Sequence, residues 1–266
     1  MRNQRVVLFC LLTNVNMYAK LSSRIVRFDL FTLYLRQPEL LFFASMDLEK
    51  TKEQLINVEK EIASCQLCPL YKTRRNIVPA EGNPHAEIMF IGEAPGARED
   101  ECGRPFCGPA GKFLDQLLDS IGLQRADVYI ANTLKCRPPA NRDPLPEEKS
   151  ACRKYLEEQI AIINPKIVVT LGRHSTETYL PDLGGITKLR AKLYHRANGI
   201  FPRTSLPTAD DAGLYFFPLY HPAAALHNGA MRQTLLDDFA KLPAAIAKVK
   251  AEIEKTKKDK IKQEKL

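Results

Sequence analysis

Short apolar runs alternate with helix-like segments between residues 48 and 248, and this alternation limits the possible folds more than any other feature. The apolar runs are "EIMFIG" (87–92), "DVYIAN" (127–132), "KIVVTLG" (166–172) and "LYFFPLYHP" (214–222), and the helical periodicity covers 48–64, 111–123, 145–163 and 231–248. Strands that alternate with helices are typical of βαβ units, in which helices cover both faces of a parallel sheet. We therefore predict an α/β fold with a central, mainly parallel sheet of four strands.

Unusual polar residues follow several of these predicted strands. Glu93, Glu99 and Asp100 lie in the Gly/Pro-rich turn "GEAPGARED" (92–100), Asn132 ends the second apolar run, and His221 lies near the end of the last one. In open parallel sheets, ligands bind beyond the carboxyl ends of the strands. A solvated loop tip remains the alternative for Glu99 and Asp100.

The positive charge is concentrated at the two ends of the chain. The formal net charge is +8, and residues 1–45 and 248–266 each contribute +4, so that residues 46–247 are neutral overall. Bulk charge therefore does not indicate what the central segment binds, and only local patches can. We predict a domain over 46–247, a lysine-rich solvated tail over 248–266, and an N-terminal extension or over-long gene start over 1–45. An Arg-rich targeting segment is the alternative for residues 1–45.

No stretch reaches the roughly 18 consecutive apolar residues of a membrane-spanning helix, and no convincing signal-peptide cleavage site follows the N-terminus. Seven cysteines are present, but they lack the dense spacing of a secreted disulfide scaffold. These features favour a cytoplasmic protein in a reducing compartment, without a membrane partner.

Four of the cysteines have the layout of a metal centre. Cys65 and Cys68 form a C-x2-C pair after the first helical segment, and Cys136 and Cys152 flank the region after the second strand. A C-x2-C turn directs two thiolates to one centre, and the wide spacing of the other two suits a four-cysteine iron-sulfur cluster better than a structural zinc site. Cysteines buried in an ordinary core are the alternative. We expect that Cys10, Cys102 and Cys107 are not ligands.

Several independent motifs, in this order, resemble family 4 uracil-DNA glycosylase. They are Cys65-x2-Cys68, "GEAPGARED" (92–100), "GRPFCGPAGKFLD" (103–115), "NTLKCRPPANRDP" (132–144), Cys152 and "HPAAAL" (221–226). The resemblance spans about residues 47–245. It implies an α/β/α sandwich, a [4Fe-4S] cluster on the four cysteines, and base excision repair by hydrolysis of the N-glycosidic bond of a flipped uracil.

The resemblance also implies roles for individual residues. Gly92 and Ala94 belong to the water-activating turn, where Ala94 replaces the aspartate of some families, so that Glu93 and Glu99 are the available acids. Phe106 corresponds to the aromatic residue that stacks on the base, Asn132 to the residue that hydrogen-bonds uracil, and His221 to the donor to uracil O2. Glu99 is also a candidate to exclude a thymine methyl group.

Uracil-containing DNA, single- or double-stranded, is the partner that the resemblance implies. We expect phosphate contacts from the "GPAGK" turn (108–112) and from Lys135, Arg137 and Arg142. A nucleoid-associated monomer is the expected form, and a sliding-clamp partner is possible but has no support in the sequence.

Other functions remain open at this point. The cysteines alone would suffice for an iron-sulfur electron carrier or redox sensor, and a catalytically silent nucleic-acid-binding relative would carry the same motifs. A nucleotide-phosphate enzyme that uses "GEAPG" as an anion loop is the weakest alternative, because two acidic residues in that loop repel phosphate.

Overall fold

The structure is a computed structural model that describes residues 38–196, 213–226 and 228–263. The chain divides into two compact units, residues 1–50 and residues 51–266. Of the first unit, the described part is the beginning of helix α1 (Pro38–Ser64). Residues 1–37, which include Cys10 and most of the predicted extension, lie outside the described residues.

Within the described residues, a six-stranded sheet forms the centre of the second unit. The strands are β1 (Glu81–Gly82), β2 (Ile88–Gly92), β3 (Tyr129–Asn132), β4 (Ile167–Leu171), β5 (Tyr194–Arg196) and β6 (Leu214–Leu219), in the order β1-β3-β2-β4-β6-β5. Strands β3, β2, β4 and β6 run parallel to one another, and β1 and β5 pair antiparallel at the two edges.

The predicted parallel core is thus confirmed, but the predicted number of four strands is wrong. The two additional strands are the edge strands β1 and β5, which have two and three residues. Such short segments cannot show the apolar alternation from which strands are predicted, and short edge strands are common because they limit pairing with other chains.

Helices follow the strands along the chain. After α1 they are α2 (Ala97–Cys102), α3 (Pro109–Asp119), α4 (Pro146–Ile163), α5 (Arg173–Tyr179), α6 (Ile186–Leu189), α7 (Gly229–Phe239) and α8 (Leu242–Gln263). The predicted helix over 231–248 is in fact two helices, because Pro243 in the first turn of α8 cannot continue the hydrogen bonding of α7. None of the helices in the described part of the chain has both the length and the apolar character needed to cross a bilayer.

The alternation of side chains along β2 produces two separate cores. Ile88 and Phe90 pack with buried residues of α3, α7 and α8, whereas Met89 and Ile91 pack with buried residues of α4 and with Tyr179 at the end of α5. Helices therefore cover both faces of the sheet, as the α/β/α prediction requires. The core includes the beginning of the lysine-rich segment, since Val249 of α8 is buried.

The parallel strands bring their carboxyl ends to one edge of the sheet. Gly92 at the end of β2 pairs with Asn132 at the end of β3, and Leu171 at the end of β4 pairs with Leu219 at the end of β6. The chain segments that follow these strands are therefore neighbours at this edge.

Candidate active site

Four of the residues predicted from sequence meet at this edge of the sheet. A Cβ atom on Gly92 would lie 2.3 Å from Oδ1 of Asn132 and 2.8 Å from Cζ of Phe106. Both side chains therefore pack against the α-carbon of Gly92, in the space that a side chain would occupy in any other residue. The rings of Phe106 and His221 stack with their centroids 5.5 Å apart and an interplanar angle of 25°. Gly92, Phe106, Asn132 and His221 therefore form one cluster, which we call the strand-end cleft.

Asn132 carries an unpaired acceptor in the strand-end cleft. The residue is 2% exposed, and its Oδ1 has no hydrogen-bond partner. A buried polar atom without a partner costs about 1–3 kcal/mol, so such atoms are rare unless a ligand satisfies them. A ligand with an N–H group directed at Oδ1 would remove this cost.

Phe106 is held in a backbone conformation that non-glycine residues seldom adopt. Its φ angle is 52°, and helix α3 packs so closely that a Cβ on Gly111 would lie 1.6 Å from the carbonyl oxygen of Phe106. Strained residues of this kind persist only where the surrounding structure determines them, and they are frequent at functional sites. Here the strain places the aromatic ring beside Asn132 and His221.

His221 is oriented as a neutral hydrogen-bond donor. Its Nδ1 accepts a hydrogen bond from the backbone N–H of Ala223 at 3.2 Å, so the proton of the neutral ring lies on Nε2. Burial lowers the pKa of His221 to about 4, which keeps the ring uncharged at neutral pH. Gly172, with a φ of 95°, leaves room for this ring, because a Cβ there would lie 3.1 Å from the Cβ of His221.

The two acids at the far end of the Gly/Pro turn bond to the backbone. The carboxylate of Glu99 accepts from the backbone N–H groups of Gly96 at 3.1 Å and of Gly108 at 3.0 Å. Asp100 is buried, and its carboxylate accepts from the N–H of Arg75 at 2.9 Å. The alternative of a solvated loop tip is therefore wrong for Asp100. Glu99 links two turns, because its carboxylate binds Gly96 before α2 and Gly108 before α3.

Glu93 is half-buried and lies in a charged group that the sequence prediction did not include. His174 Nε2 is 3.8 Å from Glu93 Oε2 and 3.1 Å from Asp143 Oδ2. Burial raises the pKa of Glu93, and Asp143 raises it further, while His174, Lys149 and Arg173 oppose the shift. The backbone of Glu93 is fixed, because its carbonyl accepts from the N–H of Leu134 at 3.0 Å.

Among the described residues, Glu93, Asp143 and His174 are also the group whose possible metal-binding atoms lie within 4.8 Å of one another. A guanidinium nitrogen of Arg173 lies 2.9 Å from Asp143 Oδ2 and 2.9 Å from His174 Nε2. The guanidinium of Arg173 thus provides a positive charge beside these residues, and we interpret the group as an ion-pair network and not as a metal site. The segment "GRHS" (172–175) follows β4, and it indicates this group once the order of the strands is known, because β4 ends at the same edge as β2 and β3.

The four predicted metal ligands line one pocket. Cys65 and Cys68 are partly exposed, Cys136 and Cys152 are buried, and none of the four forms a disulfide. Burial raises the pKa of the Cys68 and Cys136 thiols, and raises that of Cys152 to about 12, so a positive centre is needed to hold them as thiolates. Ala94, from the predicted water-activating turn, packs against the apolar residues around this pocket.

The four cysteines provide a donor set for a metal centre. They line one pocket and are free of disulfides, and thiolates are the ligands of both structural zinc sites and iron-sulfur clusters. Cys102 and Cys107 are joined in a disulfide and are not free to bind a metal.

The side chains that the sequence suggested for phosphate contacts differ in their exposure to solvent. Lys112 is exposed at the beginning of α3, but Lys135 is 1% exposed, and its ammonium donates to Asn132 O at 3.0 Å and to Gln159 Oε1 at 2.6 Å. The expectation that Lys135 contacts phosphate is therefore wrong. Sequence alone did not reveal this, because two of the acceptors around the ammonium, Pro79 O and Gln159 Oε1, come from distant segments. Arg142 pairs with the buried carboxylate of Glu148 at 2.6 Å.

Comparison with known proteins places these residues in a family context. The family model described as the uracil DNA glycosylase superfamily matches residues 79–242. A protein named type-4 uracil-DNA glycosylase from Sulfurisphaera tokodaii is 48% identical over 195 residues, covering 71% of this chain and 84% of that protein. Proteins of the same name from Archaeoglobus fulgidus and Thermotoga maritima are 42% and 39% identical, over 71% and 74% of this chain and 92% and 98% of their own lengths.

Proposed function

This chain belongs to the uracil-DNA glycosylase superfamily and removes uracil from DNA in base excision repair, and we propose that the strand-end cleft performs that reaction. Hydrolysis adds the oxygen of a water molecule to C1′ of the deoxyribose. The bond between C1′ and uracil N1 breaks, and its electron pair leaves with the base. The protein must extrude the base, recognise it and stabilise the negative charge that develops on it.

The unpaired Oδ1 of Asn132 is the observation that carries this proposal. Uracil offers an N–H donor at N3 beside an acceptor at O4, and an asparagine amide complements both. Cytosine has an acceptor at N3 and a donor at its exocyclic amine, so a fixed Oδ1 and side-chain NH2 reject it.

His221 stabilises the departing base. Its Nε2–H donates to uracil O2 as negative charge develops there, and its orientation is set before the substrate arrives. Loss of a pre-organised donor of this type costs about 100- to 1000-fold in rate. Phe106 stacks on the extruded base, a contact worth about 1–3 kcal/mol per base in single-strand binders.

Glu93 orders the attacking water and accepts its proton, for which a carboxylate with a raised pKa is better suited than an ordinary one. Glu99 does not contact the substrate in this proposal. It positions the turns that carry Glu93 and Phe106, because both of its oxygens bind backbone N–H groups. Gly92 and Ala94 have small side chains, so the base and the sugar can approach their backbone closely.

The donor set supports a [4Fe-4S] cluster held by Cys65, Cys68, Cys136 and Cys152. The cluster supplies a structural cross-link, since glycosidic hydrolysis transfers no electron. It joins the end of α1, the segment after β3 and helix α4. That link steadies the strand end from which Asn132 projects.

The DNA substrate is single- or double-stranded, and the site is complete within one chain, which supports a monomer acting at the chromosome. We propose Lys112, Arg137 and Arg142 for the phosphate contacts, since Lys112 and Arg142 are exposed and Arg137 is partly exposed. No observation on the described residues supports a sliding-clamp partner.

The test is a gel assay in which alkali cleaves abasic sites in a uracil-containing oligonucleotide. We expect Asn132→Asp and His221→Ala to lower single-turnover excision at least about 100-fold. Asn83→Asp and His85→Ala are the matched controls, because Asn83 keeps an oxygen acceptor for the N–H of His85 and His85 is exposed. Full activity in both site variants would refute the assignment.

A further inference from the structure

We propose that Arg74 is a positioning residue for the iron-sulfur centre, holding the end of helix α1 and the thiolate of Cys136 in one arrangement. The proposal depends on the cysteine centre described under the proposed function. It concerns a residue outside the cysteine motif and outside the strand-end cleft.

Arg74 contacts two of the chain segments that supply ligands. One guanidinium nitrogen lies 3.3 Å from Sγ of Cys136 and 3.3 Å from the carbonyl oxygen of Ile62, and the other donates to the carbonyl of Ala63 at 2.7 Å. Ile62 and Ala63 belong to the last turn of α1, whose carbonyl groups have no partner within the helix. Cys65 follows that turn directly, so the same guanidinium fixes the beginning of the C-x2-C pair against Cys136.

Two of the four sulfur atoms accept hydrogen bonds from different kinds of donor. The backbone N–H of Lys135 donates to Cys152 at 3.3 Å, and the guanidinium of Arg74 donates to Cys136 at 3.3 Å. Of these two donors, Arg74 is the one that carries a charge. A substitution of Arg74 therefore removes a hydrogen bond and a positive charge together.

Charge explains why a guanidinium is suited to this place. Four thiolates around a cluster make the centre net negative, and it is surrounded by apolar side chains of α1, α4 and the 3-10 turn Pro69–Lys72. A hydrogen-bonded cation stabilises such a centre, and hydrogen bonds to the sulfur atoms raise the reduction potential of iron-sulfur clusters. Arginine also remains charged at every relevant pH and reaches several acceptors at once through its planar fork.

The neighbouring arginine provides a matched control. Arg75 has a side chain that is 72% exposed, and its ion pair with Glu101 is 3.8 Å long. Its backbone N–H bonds to Asp100, which a side-chain substitution leaves in place. Arg75→Gln therefore removes the same charge and the same side-chain length as Arg74→Gln, but not from the centre.

The experiment measures iron and acid-labile sulfide in protein purified without oxygen, the rate of iron release to a chelator, and the reduction potential by a dye-mediated titration. We expect Arg74→Gln to release iron about 10-fold faster than the unaltered protein and to have a more negative potential. Arg74→Lys keeps the charge but not the fork, and we expect an intermediate release rate. Arg75→Gln should match the unaltered protein in all three measurements.

Two outcomes would overturn the proposal for different reasons. Equal iron release and equal potential in Arg74→Gln and Arg75→Gln would overturn the role of Arg74 and leave the cofactor assignment intact. Unaltered protein without iron would overturn the cofactor assignment and this proposal together, and the uracil assay would still test the strand-end cleft independently. If Arg74→Gln does not fold, the comparison of Arg74→Lys with Arg75→Lys decides by the same release rates.

Discussion

Asn132 and His221, the two polar residues of the proposed site, differ in how their polar atoms are satisfied. Asn132 carries an unsatisfied acceptor, while His221 is satisfied at Nδ1 and leaves one donor available. The types of these residues and their places after strands were predictable from sequence. Their orientation was not, since it depends on contacts with Gly92, Gly172 and Ala223 that only the folded chain makes.

The charged surroundings of Glu93 lead to a prediction about pH. Because the pKa of Glu93 is raised in the folded protein, the excision rate should rise with pH as this carboxyl loses its proton, with a midpoint above the ordinary value of 4.5. Glu93→Gln should lower the rate at neutral pH at least about 100-fold and remove this rise. The measurement is the single-turnover rate between pH 4 and pH 9.

The same shift affects stability in the opposite direction. A carboxyl whose folded pKa is raised binds its proton more tightly in the folded state, so stability falls as pH rises through the interval above 4.5. Glu93→Gln should therefore melt at a higher temperature than the unaltered protein at pH 7, and at a similar temperature below pH 4.5. Glu101→Gln, at an exposed position near the same turn, is the control and should change neither rate nor melting temperature. A lower melting temperature for Glu93→Gln at pH 7 would contradict the argument.

At the scale of elements, the parallel strands and helix α4 were predictable because their apolar patterns are long enough to be unambiguous. Helix α4 begins one residue after its predicted start, and β2, β3, β4 and β6 all lie within the predicted runs. The antiparallel edge strands were missed because they are too short. His174 was missed because an isolated histidine after a strand has no distinctive pattern until the order of the strands in the sheet is known.

The close packing of Asn132 and Phe106 against Gly92, where β2 and β3 end beside each other, leads to a further prediction. Gly92→Ala would place a methyl group 2.3 Å from Asn132 Oδ1 and 2.8 Å from Phe106 Cζ, so both side chains must move. We expect uracil excision to fall at least about 100-fold, while the overpacking lowers the free energy of unfolding by about 1–3 kcal/mol. Oligonucleotide cleavage and urea denaturation measure the two effects.

Gly229→Ala is the control for this substitution, since a Cβ at Gly229 meets nothing within 4 Å. It should retain the excision rate of the unaltered protein. An active Gly92→Ala protein would show that the side chains of Asn132 and Phe106 need not hold the positions they occupy here.

At the scale of the whole molecule, the cysteine pocket and the strand-end cleft are connected through Lys135. Its backbone N–H bonds to Cys152 Sγ, and its ammonium bonds to the carbonyl of Asn132. Burial lowers the pKa of this lysine to about 8, so the contacts hold an ammonium where few charges are tolerated. The linear order of motifs could not show this connection. It arises because Lys135 lies between Asn132 and Cys136 in the segment that begins at the end of β3, and bonds to residues of both sites.

This connection makes the consequences of losing the proposed metal centre predictable. Cys65→Ser/Cys68→Ser removes two of the proposed ligands, and we expect the iron and the brown colour to be lost, the melting temperature to fall, and excision to drop about 10-fold or more. Lys135 bonds both to Cys152 and to Asn132, so we expect the loss of activity to result from displacement of Lys135 and Asn132. Cys102→Ser/Cys107→Ser changes the same number of sulfur atoms but removes the disulfide instead, and it should keep the full iron content. Iron retained by the first variant, or lost from the second, would show that the ligands have been assigned to the wrong cysteines.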